Sequence, residues 1–395
     1  MIGVADHLAA VLTAVEPLAP ESREIAAARA RVLRQSVHAA VDVPGFDASA
    51  MDGFAVRDLT RPGVLRVVAD LPAGIDLDPA LGAGDAARIM TGAPVPTDAT
   101  AVVPFEDTLH GLGGGLEPVT VVTAPRAPGA HIRRRGSDVR AGGLVAEAGV
   151  RLTAAWIGAI AASGVGTVSV SRAPRVAVVS TGSELVAPGA TLLRGQIPES
   201  NSVLLAGLAE EAGADVVLRT SVGDDGEGPR RAIERAEADG ADVVVFSGGV
   251  SAGAYEVVKN TLGDLMRFDR VRMQPGKPQG FGRTRAGTLL FGLPGNPVSA
   301  AVSFELFVRP ALRALEGDAE LGRAHVRVAL TEAWRARPEH VQYVPVVLDR
   351  RDPARWLATP TPRGTRGFGE ADALAVIPPS DVAVSAGDGV TVALW

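Results

Sequence analysis

The pattern that most constrains this chain is a repeated order of strand, loop and helix between residues 175 and 315. Runs of consecutive apolar residues alternate with stretches of helical spacing, which is typical of a parallel sheet covered by helices on both faces. The predicted strands are 175–179, 215–219, 242–246 and 288–291, and the predicted helices lie at about 202–212, 228–238, 256–262 and 298–315. In such sheets a ligand binds beyond the carboxyl ends of the strands, so the loops there are the first candidates for a functional site.

The segments outside this region predict further domains. Residues 4–41 and 152–163 show helical spacing of apolar side chains, in the first segment at positions 4–15 and 25–33. Short strands are predicted at 64–68, 101–104 and 119–122, and after Gly322 at 325–330, 343–348, 356–359, 382–384 and 390–394. The simplest account is a helical domain interrupted by an inserted β domain at residues 46–140, then the α/β domain, then a small C-terminal barrel or sandwich.

Loops rich in glycine and proline stand at the ends of the α/β strands. Residues 180–185 and 247–253 follow the first and third strands, while 274–278 and 292–297 flank the fourth. Glycines let backbone N–H groups approach an anion and helix N-termini add a positive dipole end, so these loops predict an anion-binding pocket. No P-loop or G-x-G-x-x-G helix start is present, which disfavours kinase and simple nicotinamide chemistry. All six histidines lie outside the loops, which disfavours a Ser–His hydrolase.

Composition narrows the chemistry further. The absence of cysteine excludes disulfides, thiolate zinc sites and cysteine nucleophiles. A net charge of −6 argues against binding to nucleic acid or acidic membranes. Without a signal-like start or an apolar run near the ~20 residues of a membrane span, we expect a cytoplasmic protein.

Lysine usage points to two of the loops. Only two lysines, Lys259 and Lys277, stand beside 37 arginines. A compact ammonium and a wide guanidinium fork are not interchangeable where one oxyanion must be reached. The lysines therefore mark residues 247–254 and 274–278 for anion chemistry.

Carboxylates also follow the strand ends, at Glu184, Asp224, Asp225 and Glu256. Hard oxygen ligands without His or Cys suit Mg²⁺ bridging phosphates, whereas helix N-capping would account for any one of these residues. The inserted domain adds two tight loops, 49–54 and 89–96, that have no evident local role. Its basic cluster at 133–135 is either a solvated turn or a place for an oxyanion.

Six motifs, in order over nearly the whole chain, resemble the MoeA family of molybdopterin molybdenumtransferases, which includes the gephyrin E domain. They are PGFDASAMDGFAV (44–56), IMTGAPVP (89–96), STGSEL (180–185), SGGVSAG (247–253), QPGKP (274–278) and GLPGNPVSA (292–300). The part from STGSEL to GLPGNP alone also resembles the MogA-type adenylyltransferase domain.

The resemblance implies a multidomain α/β plus β fold. Its domains are an elongated helical domain (1–45 and 141–172), an inserted small β domain (46–140), a three-layer α/β molybdopterin-binding domain (173–318) and a C-terminal β-barrel (319–395). It also implies a homodimer in which the inserted domain of one subunit faces the α/β domain of the other. The adenylyltransferase and molybdoenzyme chaperones are further expected partners.

The implied reaction is Mg²⁺-dependent insertion of molybdate into adenylylated molybdopterin, with release of AMP to form molybdenum cofactor. The implied catalytic residues are Asp52, Thr91, Glu184, Asp224, Glu256 and Lys277, with Glu184, Asp224 and Glu256 as metal ligands. The implied substrate-binding residues are Ser180, Thr181, Gly182, Ser247, Gly248, Gly249, Ser251, Arg270, Gln274, Pro294, Gly295, Asn296 and Pro297. We assign Asp52, Glu184, Asp224 and Glu256 to the metal and nucleotide. We assign Lys277, Ser251 and residues 294–297 to the oxyanion.

Three positions depart from the family pattern. Glu256 stands where the family has aspartate, and Arg270 and Gln274 stand where it has lysines. Two other functions stay open. One is the adenylyltransferase step, which needs only the α/β domain, and the other is a non-catalytic molybdopterin-binding or scaffold protein, which the lost charge at Gln274 would suit.

Overall fold

The computed structural model describes residues 1–109, 111, 115–224, 226–251 and 256–395. His110, Asp225, Ala252 and Gly253, which entered the sequence predictions, lie outside these ranges. The helices, α1 to α8 in chain order, are Val4–Thr13, Ala154–Ala162, Asn201–Glu211, Gly228–Ala238, Val257–Leu262, Pro297–Ser303, Arg309–Glu316 and Thr365–Glu370. The strands, β1 to β25 in chain order, are Pro20–Glu24, Val37–His38, Ala48–Ser49, Gly53–Val56, Gly63–Leu71, Asp85–Ile89, Ala101–Pro104, Val119–Val121, Ile132–Arg133, Leu144–Ala146, Thr167–Ser171, Arg175–Thr181, Leu185–Val186, Ile197–Pro198, Asp215–Val222, Val243–Ser247, Met266–Arg270, Met273–Gln274, Pro278–Arg283, Leu289–Leu293, His325–Leu330, Val341–Asp349, Leu357–Pro360, Ala373–Ile377 and Gly389–Leu394.

A six-stranded sheet in the order β15-β12-β16-β20-β19-β17 forms the centre of the α/β domain. The first four strands are parallel and correspond to the four predicted ones. Strand β19 runs antiparallel to both of its neighbours, β20 and β17, and neither β19 nor β17 is in the prediction. Val176 and Val178 of β12 pack in one core with α3, α6 and α7, and Ala177 and Val179 pack in another with α4 and α5. The prediction of a parallel sheet with helices on both faces is confirmed.

The predicted helix over 298–315 is divided by a π-helical turn, Phe304–Val308. Pro310 has no N–H, and its ring would clash with the carbonyl of Leu306 in a regular α-helix, so the wider turn relieves the conflict. The carboxylate of Glu305 in this turn accepts hydrogen bonds from Arg309 Nε at 2.7 Å and Arg323 Nε at 2.9 Å. These buried contacts tie the helix to the segment that enters the C-terminal domain.

The N-terminal segment holds one correct and one wrong helix prediction. Helix α1 forms as expected and packs against the α/β core through Val11. The helix predicted over 25–33 is wrong, because the chain makes a 3₁₀ turn at Ile25–Ala27 and then passes through Ala30 at a φ of 65°. That left-handed conformation cannot occur inside an α-helix.

The same apolar residues nevertheless reach a core. Ala28 and Leu33 are buried with Ile160 of the predicted and observed helix α2. Two short antiparallel pairs, β1 with β11 and β2 with β10, complete this part of the structure.

The inserted region forms a five-stranded sheet in the order β7-β4-β6-β5-β8. It includes the three predicted strands and two further ones, β4 and β6. The motif of residues 44–56 runs into β4, and that of residues 89–96 follows β6, its neighbour in the sheet. The two predicted loops are therefore adjacent.

The C-terminal strands close a barrel in the order β22-β23-β21-β25-β24, with β24 pairing back to β22. The strand predicted at 382–384 is wrong, since Val382 is exposed and only an isolated bridge joins Val384 to Trp334. The fifth strand is β24, whose Ala373, Ala375 and Ile377 are buried in the barrel core, while Leu374 on the other face is buried in the α/β core. A parallel bridge of β18 with β22 connects the barrel to the α/β domain.

Among the described residues, no helix has both the length and the apolar character needed to cross a membrane.

Candidate active site

Three loops and one turn meet at the carboxyl edge of the parallel strands. Ser180 lies in register with Ser247, and Ser247 with Leu293, so the loops after β12, β16 and β20 start side by side. The turn at 274–278 reaches the same edge because β19 is antiparallel, which puts its first residue, Pro278, near the end of β20. The predicted gathering of these loops at one edge is thus observed, although the last one arrives through a strand direction that the prediction lacked.

Hydrogen bonds join the loops to one another. Thr181 Oγ1 donates to the carbonyl of Ser247 at 3.3 Å. The side-chain amide of Asn201, at the start of α3, donates at 2.7 Å to both Ser247 Oγ and the carbonyl of Gly295. Asn296 caps α6 by accepting a hydrogen bond from Ser299 N at 3.1 Å, and Pro297 occupies the first helical position. The edge is therefore one connected surface.

Gly248 shows why this surface needs glycine. Its φ is +95°, and a Cβ at this position would lie 2.7 Å from the carbonyl oxygen of Thr181. Gly249 also has a positive φ, of +65°. Any other residue would be strained there or would push the neighbouring loops apart.

Beneath the edge lies a buried carboxylate, Glu199, that the sequence analysis overlooked. It is 8% exposed and accepts hydrogen bonds from Ser180 Oγ at 2.7 Å and from the backbone N–H of Ser202 at 2.8 Å. Burial raises its pKa, but the hydrogen bonds from Ser202 and Ser180 outweigh burial and hold the pKa below its ordinary value. Glu199 thus stays ionised and fixes the end of β12 to the start of α3.

The predicted carboxylates at the edge have distinct surroundings. Asp224 accepts from Ser183 N at 3.0 Å while its own N–H donates to Ser183 Oγ at 3.1 Å, which joins two loops. Glu256 accepts from Ser251 N at 2.7 Å, so Ser251 groups with the carboxylates. Glu184 is exposed and forms no hydrogen bond or ion pair through its carboxylate within the described ranges.

Helix capping does not account for these carboxylates. Helix α4 begins after Glu227 rather than after Asp224, and the side chain of Glu256 does not cap α5. In the part of the chain that the structure describes, no three His, Cys, Asp or Glu side chains are grouped so as to hold a metal ion.

The two lysines occupy different environments. Lys277 is half-buried in the turn before β19 and makes no ion pair with any described carboxylate. Its turn is fixed by Gln279, whose Nε2 donates to the carbonyl of Gly276 at 2.6 Å and to Ser303 Oγ at 2.6 Å. Lys259 is exposed in the last turn of α5, where the helix dipole favours a cation. Arg270 is exposed at the end of β17.

Two adjoining cavities open where the barrel meets this edge. One, of about 310 Å³, is lined by Gln274 and Asn296 from the edge and by Trp334 and Gln342 from the barrel. The other, of about 650 Å³, is lined by three arginines, one glutamate and one histidine, together with Trp334 and Gln342. These charged and ionisable residues are Arg335, Arg337, Arg363, Glu339 and His340.

The cavities bring barrel residues to the candidate site, which the sequence analysis missed. The three arginines form no ion pair with any carboxylate in the described ranges, so the cavity keeps a positive charge. The sequence signal was weak, consisting of the Arg-x-Arg at 335–337 and the proline-rich run at 360–363.

The inserted domain presents a separate pair. Asp52 Oδ1 accepts hydrogen bonds from the backbone N–H and the hydroxyl of Thr91, both at 2.7 Å. These bonds hold the pKa of the exposed Asp52 carboxyl below its ordinary value. In the described part of a single chain, no hydrogen bond or ion pair links this pair to the α/β edge.

The basic cluster of residues 133–135 is neutralised locally. Arg133 pairs with Asp138, Arg134 with Asp47 and Arg135 with Asp42. This arrangement favours the structural interpretation of the cluster over capture of an oxyanion.

Three family models match the chain in sequence. Residues 2–164 match the MoeA N-terminal region (domain I and II), residues 177–314 a probable molybdopterin binding domain, and residues 327–395 the MoeA C-terminal region (domain IV). Together they cover most of the chain.

Individual relatives align over similar lengths. The molybdopterin molybdenumtransferase 2 of Mycobacterium tuberculosis is 41% identical over 98% of this chain and 98% of its own. A molybdopterin molybdenumtransferase of Nostoc is 39% identical over 74% of this chain and 69% of its own. Among solved structures, a molybdopterin biosynthesis MoeA protein of Pyrococcus horikoshii superposes with a TM-score of 0.84 at 25% identity, with both chains covered completely.

Proposed function

The chain belongs to the MoeA family, and on that premise we propose that it is a molybdopterin molybdenumtransferase. The reaction is insertion of molybdate into adenylylated molybdopterin with release of AMP. The observation that carries this proposal is the connected sheet edge, where Asn201 and Thr181 hold the glycine-rich loops together. Such a surface offers backbone N–H groups to the phosphates of the substrate.

Mg²⁺ fits the donors at this edge. Glu184, Asp224 and Glu256 supply hard carboxylate oxygens, and the buried amide oxygen Oδ1 of Asn201 has no hydrogen-bond partner. Because the described residues hold no cluster of three acidic or imidazole ligands, the protein would contribute one or two ligands, with phosphate and water oxygens completing the shell. Bound there, Mg²⁺ would neutralise and polarise the diphosphate.

The molybdate dianion requires positive charge close to this edge. The unpaired ammonium of Lys277 and the unpaired arginines of the larger cavity, Arg335, Arg337 and Arg363, provide it. Ser251 contacts Glu256, so we place Ser251 on the carboxylate side of the site, which changes the initial assignment.

A homodimer would complete the site. Asp52 and Thr91 form a preorganised pair that one chain leaves apart from its own α/β edge, and a second copy could supply the pair across the interface. Mixing two inactive variants tests this arrangement. If Asp52→Asn and Glu184→Gln subunits are allowed to exchange, a composite site predicts recovery of about a quarter of wild-type activity, because roughly half of the dimers are mixed and each has one intact site. A site confined to one chain predicts no recovery.

The activity itself is tested by supplying the purified protein with adenylylated molybdopterin, Mg²⁺ and molybdate. AMP is measured together with reconstitution of an apo-molybdoenzyme. We expect AMP release that depends on molybdate and falls strongly in Glu184→Gln, while Glu320→Gln, at an exposed glutamate outside the site, serves as the matched control. Consumption of ATP without molybdate would point to the adenylyltransferase step instead.

The variant Lys277→Arg tests whether Lys277 binds the oxyanion rather than the nucleotide part of the substrate. A guanidinium is wider than an ammonium and disperses its charge, so the KM for molybdate should rise while the KM for adenylylated molybdopterin changes little. An unchanged molybdate KM would remove Lys277 from the site. The exposed pair Arg366 and Glu370 allows Arg366→Lys as the control exchange.

A further inference from the structure

The turn that carries Lys277 is joined to the rest of the sheet edge indirectly. Among the described residues, no hydrogen bond runs directly from residues 274–278 to the loops after β12, β16 and β20. The backbone of the turn is held next to β17, where the N–H of Val271 donates to the carbonyl of Lys277 at 2.8 Å. Val271 also pairs with Ile2 in a parallel bridge, so this support leads to the N-terminal segment. It does not set the distance between Lys277 and the other loops.

The buried side chain of Gln279 connects the turn to helix α6. Gln279 is 1% exposed, and its Nε2 donates to the carbonyl of Gly276 and to Ser303 Oγ, both at 2.6 Å. Ser303 is fully buried in α6, and its own hydroxyl donates to the carbonyl of Ser299 at 2.7 Å. A side-chain amide nitrogen has two N–H groups, and here one is used on the turn and one on the helix.

From α6 the hydrogen bonds continue to the sheet edge. The backbone N–H and the hydroxyl of Ser299 both donate to Asn296 Oδ1, at 3.1 and 3.2 Å. The preceding residue, Gly295, accepts through its carbonyl from the amide of Asn201, which also donates to Ser247 Oγ. The turn and the loops after β16 and β20 therefore belong to one network, which within the described residues reaches the turn through a single amide.

Close packing accompanies these hydrogen bonds. Gly276 has a φ of +95°, and a Cβ there would lie 2.8 Å from Ser303 Oγ and 2.9 Å from Met273 Cε. The turn therefore lies directly against α6, and only glycine allows this approach. The backbone of Gly276 is buried, so removal of the Gln279 amide would leave its carbonyl without a partner and favour a shift of the turn.

We propose that Gln279 is a positioning residue, which holds Lys277 at the distance from Asn296 at which the ammonium contacts the oxyanion of the substrate. The inference rests on the proposed function for the identity of that oxyanion. Because Gln279 is buried, it acts through the turn rather than by contact with the substrate. Without the amide the turn keeps its attachment to Val271, so the protein should fold while Lys277 loses its fixed position.

The presence of only two lysines allows a direct test in the full-length protein. Labelling with ¹⁵N-lysine gives two backbone amide signals, and the loss of one signal in Lys277→Arg assigns them to Lys259 and Lys277. Gln279→Met keeps the length of the side chain but removes both donors, so the Lys277 signal should shift or broaden while the Lys259 signal stays in place. Gln35→Met, at an exposed glutamine of the helical domain, should change neither signal.

Titration of the same samples with molybdate measures the consequence for binding. The Lys277 signal of the wild type should move as molybdate is added. The Kd for molybdate should rise about tenfold in Gln279→Met, since a misplacement of about 1 Å can cost up to a hundredfold. Ser303→Ala removes one of the two hydrogen bonds and should raise the Kd by a smaller factor, about threefold.

A double variant separates positioning from a general structural role. If Gln279 acts through Lys277, adding Gln279→Met to Lys277→Met should weaken molybdate binding no further, because the ammonium is already absent. Losses that multiply in the double variant would overturn the proposal. Should Gln279→Met fail to fold, Ser303→Ala combined with Lys277→Met provides the same comparison.

Failure of this inference can be told apart from failure of the proposed function. An unchanged Lys277 signal and molybdate Kd in Gln279→Met and Ser303→Ala refute the positioning role even when molybdate-dependent AMP release is intact. A wild-type Lys277 signal that does not respond to molybdate also refutes it, since the oxyanion then binds elsewhere. A response of Lys277 that depends on Gln279, without any AMP release, supports the positioning role while refuting the transferase activity.

Discussion

Replacing Glu199 by glutamine should lower the local stability of the backbone beneath the candidate site. The carboxylate accepts three hydrogen bonds, from Ser180 Oγ, Ser202 Oγ and Ser202 N. A hydrogen bond to a charged group contributes roughly 1 kcal/mol more than a neutral one, so losing the charge should cost about 2–3 kcal/mol of local stability. The effect should be confined to the end of β12 and the start of α3, which these bonds connect.

Amide hydrogen exchange measures that local stability, since a single unfolding free energy is poorly defined for a multidomain chain. At pH 7, peptides covering β12 and α3 should exchange roughly 30- to 150-fold faster in Glu199→Gln, because each 1.36 kcal/mol is a factor of ten. Peptides from the barrel should not change. Glu210→Gln, on the exposed side of the same helix, is the control.

The pH dependence provides the refuting result. The folded pKa of Glu199 lies below the ordinary value of 4.5, so the stability from its charge is present above that value and is lost as the pH falls through the folded pKa. The difference in amide exchange rate between wild type and Glu199→Gln should therefore become smaller under acid conditions. Equal exchange of the two proteins at pH 7 would show that the carboxylate does not hold the loops.

Three further predictions follow from other contacts. Arg151→Met removes the ion-pair partner of buried Glu316 and leaves Asp318 with Arg313 alone, so it should cost about 3–5 kcal/mol of local stability; a calorimetric melting temperature equal to that of the wild type would contradict this. Thr91→Val removes the hydroxyl donor to Asp52 but keeps the stronger backbone donor, so the pKa of Asp52 should rise only in part, and carboxyl ¹³C titration with Thr91→Ser as control checks it. Gly248→Ala forces a Cβ against Thr181 at a positive φ and should cost on the order of 1–3 kcal/mol and abolish AMP release; Gly322→Ala, where a Cβ meets open space, should retain activity.

The sequence predicted best where one physical signal dominated. The strands β12, β16 and β20 are apolar on both faces over most of their length, and this pattern has few explanations other than a covered parallel sheet. Strands β17 and β19 escaped prediction because glycines and charged residues interrupt them. Gly280, for example, faces Phe268 so closely that a Cβ there would lie 2.8 Å from its ring, and such packing is visible only once the strands are paired.

The wrong helix at 25–33 has a related cause. Ala28 and Leu33 are buried, as an amphipathic helix would require, yet they reach the core from a 3₁₀ turn and an irregular segment. Periodicity reports which residues are buried but not the backbone path between them. The left-handed Ala30 had no sequence signal, because alanine is a strong helix former.

The candidate site was predictable only as far as each loop carried its own signal. Glycines and carboxylates indicated the loops at the sheet edge. Gln342 and Trp334 belong to the barrel and carry no such signal in the sequence, because only the β18–β22 bridge brings them close to Gln274. The buried role of Glu199 was equally unpredictable, because a glutamate shortly before a helix is usually a capping residue or a surface charge.

The two lysines illustrate how far composition can lead. Lys259 lies exposed in the last turn of α5, where the helix dipole alone favours a cation, so its retention needs no ligand. Lys277 is half-buried, unpaired among the described residues, and carried to the sheet edge by the antiparallel β19. Because this position keeps an ammonium in an arginine-rich chain, we expect Lys277 to contact a single oxyanion of the substrate, and Lys277→Arg is the variant that tests it.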